Sequence, residues 1–113
     1  MNKNLVRVLK FIVDDRGVRK DPACDFSGLA PGTGIPLRAE FSFSKEWDNT
    51  TRVVGFWQNG VECEPQVLID GYTCAIPGKI MAGHTFELQI LGRKNTAVMK
   101  TNMLQVRLYG GAR

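Results

Sequence analysis

The chain has 113 residues, of which 43% are hydrophobic and 23% charged, and carries a formal net charge of +4. That length sets a single domain over residues 1–113, able to bury more than ~60% of its unfolded surface. The composition is that of an ordinary globule and excludes a disordered chain. The basic residues are scattered with no run of five or more like charges. This favours a solvated surface over a nucleic-acid site.

The opening "MNKNLVRVLKFIV" is basic and then apolar, but Arg7 and Lys10 interrupt it and Asp14-Asp15 ends it. It is read as a strand over residues 5–13, not as a secretion signal. A turn at "DDRG" follows, with Gly17 free to take positive φ. Residues 18–36 carry Pro22, Pro31 and Pro36 and are read as a long connection, anchored in the core by Phe26 and Leu29.

Residues 37–44 alternate most regularly: Leu37, Ala39, Phe41 and Phe43 fall on one side, Arg38, Glu40, Ser42 and Ser44 on the other. That period belongs to a sheet with one buried face. Trp47 is expected to plug the core at the strand's end. A second strand, residues 51–58, puts Phe56 and Trp57 on opposite faces, so one of the two aromatics points away from the core. Asn59-Gly60 then signals a type I′ hairpin. Residues 61–69 fold back beside this strand, with Pro65 marking an edge or a break. Asp70-Gly71 turns into "YTCAI", with Tyr72, Cys74 and Ile76 on one face. "PGKIMAG" supplies one short helical turn. "TFELQILG" alternates again, with Phe86, Leu88 and Ile90 inward, and "MLQVRLYG" closes the domain. About seven strands with at most one short helical turn give an all-β fold, an immunoglobulin-like antiparallel β-sandwich.

Little in this pattern carries chemistry. His84 is the only histidine and Cys24, Cys63 and Cys74 lack paired ligand spacing, so no metal, cofactor or catalytic residue is assigned. Cys63 and Cys74 read as small buried hydrophobes, and all three thiols as free. The acids Asp14, Asp15, Asp21 and Asp25 do not follow a calcium-loop spacing, and "GLAPGTG" lacks the lysine of a phosphate loop. No apolar run approaches a membrane span. An enzyme is therefore not expected. Trp47, Phe56, Trp57 and Tyr72 leave two further readings open: a sugar-binding platform and a base-stacking barrel.

The stretch "KDPACDFSGLAPGT" followed by "RAEFSFSKEWDN" resembles small proteins of phages and prophages of Gram-positive bacteria. Further matches are the step Cys74-Ala75-Ile76-Pro77, the strand "FELQILG" and the pair Thr101-Asn102, so the likeness runs from Lys20 to about Leu108. The resemblance implies a non-enzymatic virion component, made in the bacterial host cytoplasm. It would be attached in many copies to capsid, tail or baseplate, as a homo-oligomer or multi-copy assembly in contact with other virion proteins. The runner-up is an adhesion module that binds host-surface glycan through an exposed aromatic. Partner-contact candidates are Arg19, Lys20, Trp57, Pro65 and Tyr109. They come from the start of the long basic connection, an outward aromatic, an edge strand and the C-terminal tail.

Overall fold

A computed structural model of the chain describes residues 6–29 and 36–108. These form an all-β sandwich of ten short strands with two 3-10 turns, at Lys45–Trp47 and Gly78–Ala82. The first sheet has the order β2-β1-β3-β7, built from β1 (Arg7–Asp14), β2 (Gly17–Lys20), β3 (Leu37–Phe43) and β7 (Thr73–Ala75). The second has the order β10-β8-β4-β5, with β6 also on β4 and β9 also on β8. Its members are β4 (Thr51–Gln58), β5 (Val61–Glu62), β6 (Gln66–Val67), β8 (Thr85–Lys94), β9 (Ala97–Lys100) and β10 (Leu104–Arg107).

The core lies between the sheets and follows the alternation. Leu9, Phe11 and Val13 of β1 face Val54 and Phe56 of β4 and Phe86, Leu88 and Ile90 of β8 within one buried cluster. Phe11 stacks on Phe41 with ring centroids 5.3 Å apart, and Phe26 meets Phe11 edge-on at 5.4 Å. Phe26 and Leu29 thus anchor their connection as expected. Phe43, at the end of β3, is only partly buried, and the Arg52 guanidinium covers its ring at 4.0 Å.

Three expectations are corrected. The residues 18–36 begin as a strand: β2 pairs with β1 across a hairpin, with Val18 opposite Val13. The sandwich is not wholly antiparallel, for β1 runs parallel to β3 from Arg7↔Leu37 to Val13↔Phe43. Parallel neighbours need a connection of a dozen or more residues, and the chain between β2 and β3 supplies it, ending where the Pro36 carbonyl accepts the Arg7 N–H of β1. Tyr72 is 53% exposed and does not share the buried face of Cys74 and Ile76, since it still belongs to the turn preceding β7.

The Asn59-Gly60 hairpin forms with φ of 53° and 78°, as a type I′ turn requires. Both outer edges of the second sheet then slip by one residue. Trp57 faces Glu62 and Phe56 binds Cys63, yet Val54 faces Gln66, so Glu64 and Pro65 both stand against Gly55. On the other edge Ile90 binds Thr101 and Leu88 faces Leu104, so Asn102 and Met103 both stand against Gln89. Gly55 and Gln89 are themselves register partners. The two β-bulges therefore flank one row of the sheet and break each edge strand in two, so the ten strands make eight runs.

Trp47 is buried at one end of the sandwich. Its indole N–H donates to the Asp14 carbonyl at 3.2 Å, and its ring lies so close to Gly92 that a Cβ there would stand 2.7 Å from Cζ3. We expect Trp47→Ala to lower unfolding stability by about 3–5 kcal/mol and Gly92→Ala by about 1–3 kcal/mol, read from urea melts. A neutral Gly92→Ala would show that the ring moves freely and does not lock the sheets.

Candidate contact surface

The outer faces of the two sheets differ in chemistry. On the first sheet, Lys10, Arg19, Arg38, Glu40, Ser42 and Thr73 turn outward, with Val8 and Ile12 the apolar exceptions. On the second, the register carries an apolar row across three strands: Val67 faces Val53, which faces Leu91. Lys100 ends that row, and the next one outward holds Thr51, Arg93 and Val98. Val67 and Val98 are 54% and 59% exposed. Thr51, Val53, Leu91, Gly92, Arg93 and Val98 line a depression of about 410 Å³ on this face.

Trp57 belongs to the same face. Its ring lies over Gly55, where an added Cβ would come within 2.6 Å of Cη2. Gly55 is thereby buried although its strand face is the outer one. Glu62 and Glu87 are the register partners of Trp57 on its two sides, and Glu87 accepts a 3.4 Å hydrogen bond from Gln105 Nε2. The face thus reads, along the strands, from a basic end at Arg93 through an apolar middle to an acidic end around Trp57.

The expected contact residues divide between two regions. Trp57 and Pro65 lie on the second sheet, Pro65 in the bulge opposite the Gly55 that Trp57 covers. Arg19 and Lys20 lie on β2, at the edge of the other sheet. Arg19 donates to Asp14 Oδ2 at 2.6 Å. That hydrogen bond, then the Arg16 N–H, holds the Asp14 carboxyl below its ordinary value. Lys20 Nζ sits 5.3 Å from the Phe26 ring centroid. Both cations already have partners within the chain. Tyr109 lies outside the described residues. Val53, Val67, Leu91 and Val98 were not singled out from sequence. Their signal was present, since Val53 and Leu91 are apolar residues out of phase with the buried alternation of their own strands.

Among the described residues, no group of three or more His, Cys, Asp or Glu side chains is placed to hold a metal ion, and no helix is long and apolar enough to cross a membrane. His84 is exposed in the turn before β8, and its carbonyl accepts the Leu108 N–H. Burial pushes the Cys74 thiol up to about 12, so it stays protonated and packs as a small apolar group. No protein-family model and no curated protein matches the chain.

The Asp70 turn that positions β7 is charge-dependent. Its Oδ2 accepts the Thr73 hydroxyl at 2.6 Å, and Oδ1 accepts the Tyr72 and Thr73 N–H groups at 2.9 and 2.8 Å. These bonds, the Thr73 hydroxyl foremost, lower the Asp70 pKa from 3.8 to about 2. A depressed carboxyl stabilises the fold fully above its unfolded value and ceases to do so as pH falls through its folded value. The stability difference between wild type and Asp70→Asn should therefore be largest above about pH 4, shrink as pH falls towards about 2 and vanish below it. An equal difference in melting temperature at pH 2 and pH 7 would remove this role for the charge.

Proposed function

We propose that the protein is a non-enzymatic structural component of a phage particle, a surface or decoration module attached in many copies to capsid or tail. The observation that supports this reading is the outer face of the second sheet. Its open stripe of Val53, Val67, Leu91 and Val98 beside Trp57 is the chemistry of a protein contact, apolar at the centre with charges at the rim. Multi-copy attachment suits such a face, because modest contacts repeated by symmetry add up to stable association. The sequence likeness to phage and prophage proteins gives the setting.

A second reading rests on Trp57 alone. A half-buried indole flanked by Glu62 and Glu87 can stack on a sugar ring while the carboxylates accept its hydroxyls. In that case Trp57→Ala abolishes glycan binding and leaves particle attachment intact.

The deciding measurement is mass spectrometry of density-banded particles from a host carrying the gene, with capsids and tails separated before digestion. We expect the tryptic peptide from Ala39 to Lys45 in fixed stoichiometry with the major protein of one fraction. Abundance in the lysate with absence from intact particles would overturn the structural reading.

A further inference from the structure

We propose that the outer face of the second sheet binds the same face of a second copy of this chain, about a two-fold axis that crosses the strands between the Val53–Leu91 row and the Gly55–Gln89 row. The proposal deepens the structural reading by naming one partner, and rests on it only for the claim that this face is a contact surface.

The charge layout selects that partner. A two-fold axis in the interface plane and perpendicular to the strands keeps each strand over its own copy and reverses its direction. The rows are fixed by register: Thr51–Arg93, Val53–Leu91, Gly55–Gln89 and Trp57–Glu87. Reversal about the midpoint lays the first row of one copy on the fourth of the other, and the second on the third. Glu87 of each copy then faces Arg93 of its mate, twice per dimer. Val53 of one copy meets Gly55 of the other, where the Trp57 ring lies. Leu91 meets Gln89, whose amide is already occupied by the Thr101 carbonyl at 2.7 Å. One surface thus supplies both halves of a self-complementary interface, as a closed two-fold contact demands. Packed sheets cross at about 30°, and the long Glu and Arg side chains span the resulting offset.

The same axis set along the strands fails. It would exchange β4 and β8, so that Glu87 faces Trp57 and Arg93 faces Thr51; no opposite charges meet, and like charges lie one strand apart, which disfavours association.

The contact is small. Four runs spaced ~4.8 Å apart and four rows deep give roughly 450 Å² per copy, about half of the ~800 Å² per partner in a standard stable complex. The dimer is accordingly concentration-dependent, with a dissociation constant between about 10 μM and 1 mM.

Sedimentation equilibrium of the full chain over that concentration range tests the geometry through charge reversal. Glu87→Arg and Arg93→Glu each place like charges opposite one another and should weaken self-association by about tenfold. The double variant E87R/R93E restores opposite charges in swapped order and should return to within about threefold of wild type. Arg93 is exposed and Glu87 half-exposed, so circular-dichroism melts should be unchanged in all three.

A wild type that stays monomeric up to 1 mM overturns the proposal. So does a dimer indifferent to both single reversals, or one that the double variant fails to restore. Failure here is separable from failure of the structural reading. A monomer found in particles removes only the dimer, whereas a charge-swappable dimer absent from particles removes only the virion assignment.

Discussion

The structure depends on the corner built around Trp47. The indole N–H reaches back to the Asp14 carbonyl at the end of β1, and the ring presses on the Gly92 backbone of β8. One side chain therefore binds both sheets at the point where the chain passes from β3 to β4. Arg52 closes the corner from outside. It donates to the Trp47 carbonyl at 2.7 Å, the Gly71 carbonyl at 2.8 Å and the Thr50 hydroxyl oxygen at 2.9 Å, and covers the Phe43 ring. A guanidinium can serve three acceptors while stacking on an aromatic face, which a lysine in its place cannot do. With that end fixed, β4 and β8 are held as the central pair of the second sheet, and the positions of the residues on their outer face follow.

The far edges are held by a different device. At the bulge opposite Gln89, Thr101 accepts the Ile90 N–H at 3.0 Å and donates to the Asn102 carbonyl. Asn102 extends to the other sheet, where Oδ1 accepts the Val18 N–H at 2.8 Å and Nδ2 donates to the Val18 carbonyl. An amide side chain thus takes the place of a neighbouring strand on β2. The space it fills is why Gly17, at φ 140°, admits no side chain. At the opposite edge Glu64 and Pro65 interrupt pairing on β4. Broken and capped edges resist the addition of a further strand. Contacts with other molecules are thereby directed away from the edges and onto the sheet's outer face.

How much of this was legible in the sequence varied with the range of the interaction. The Asn59-Gly60 turn, the buried phase of β3 and β8 and the 3-10 turn after Pro77 rest on neighbouring residues, and they were readable. The strand β2 was not. "GVRK" is four residues long and owes its conformation to β1 on one side and Asn102, 84 positions away, on the other. The parallel β1–β3 pair was equally hidden, because alternation gives which face a residue takes but not which strand lies beside it. Trp57 was recognised as facing opposite to Phe56, since that follows from period two. That it would share a surface with Leu91 and Val67 required the register of three strands. Arg19 and Lys20 read as partner contacts, and only the tertiary structure places Asp14 and Phe26 beside them.

The two outer faces give the domain a direction. One carries alternating Lys10, Glu40 and Arg38, which are hydrated readily and resist burial without partners. The other carries valines and a leucine, with charge at its two ends and at Lys100 on its lateral edge. Covering the second face removes apolar area from water at little polar cost, whereas covering the first requires every ion to be matched. On the proposed reading, attachment uses the second sheet and display uses the first. The bulged Gly55–Gln89 row links that polarity to the fold. Gly55 lacks a side chain and so leaves room for the Trp57 ring to lie along its own strand. An indole held this way adds apolar area to the face while remaining low enough for another flat surface to approach.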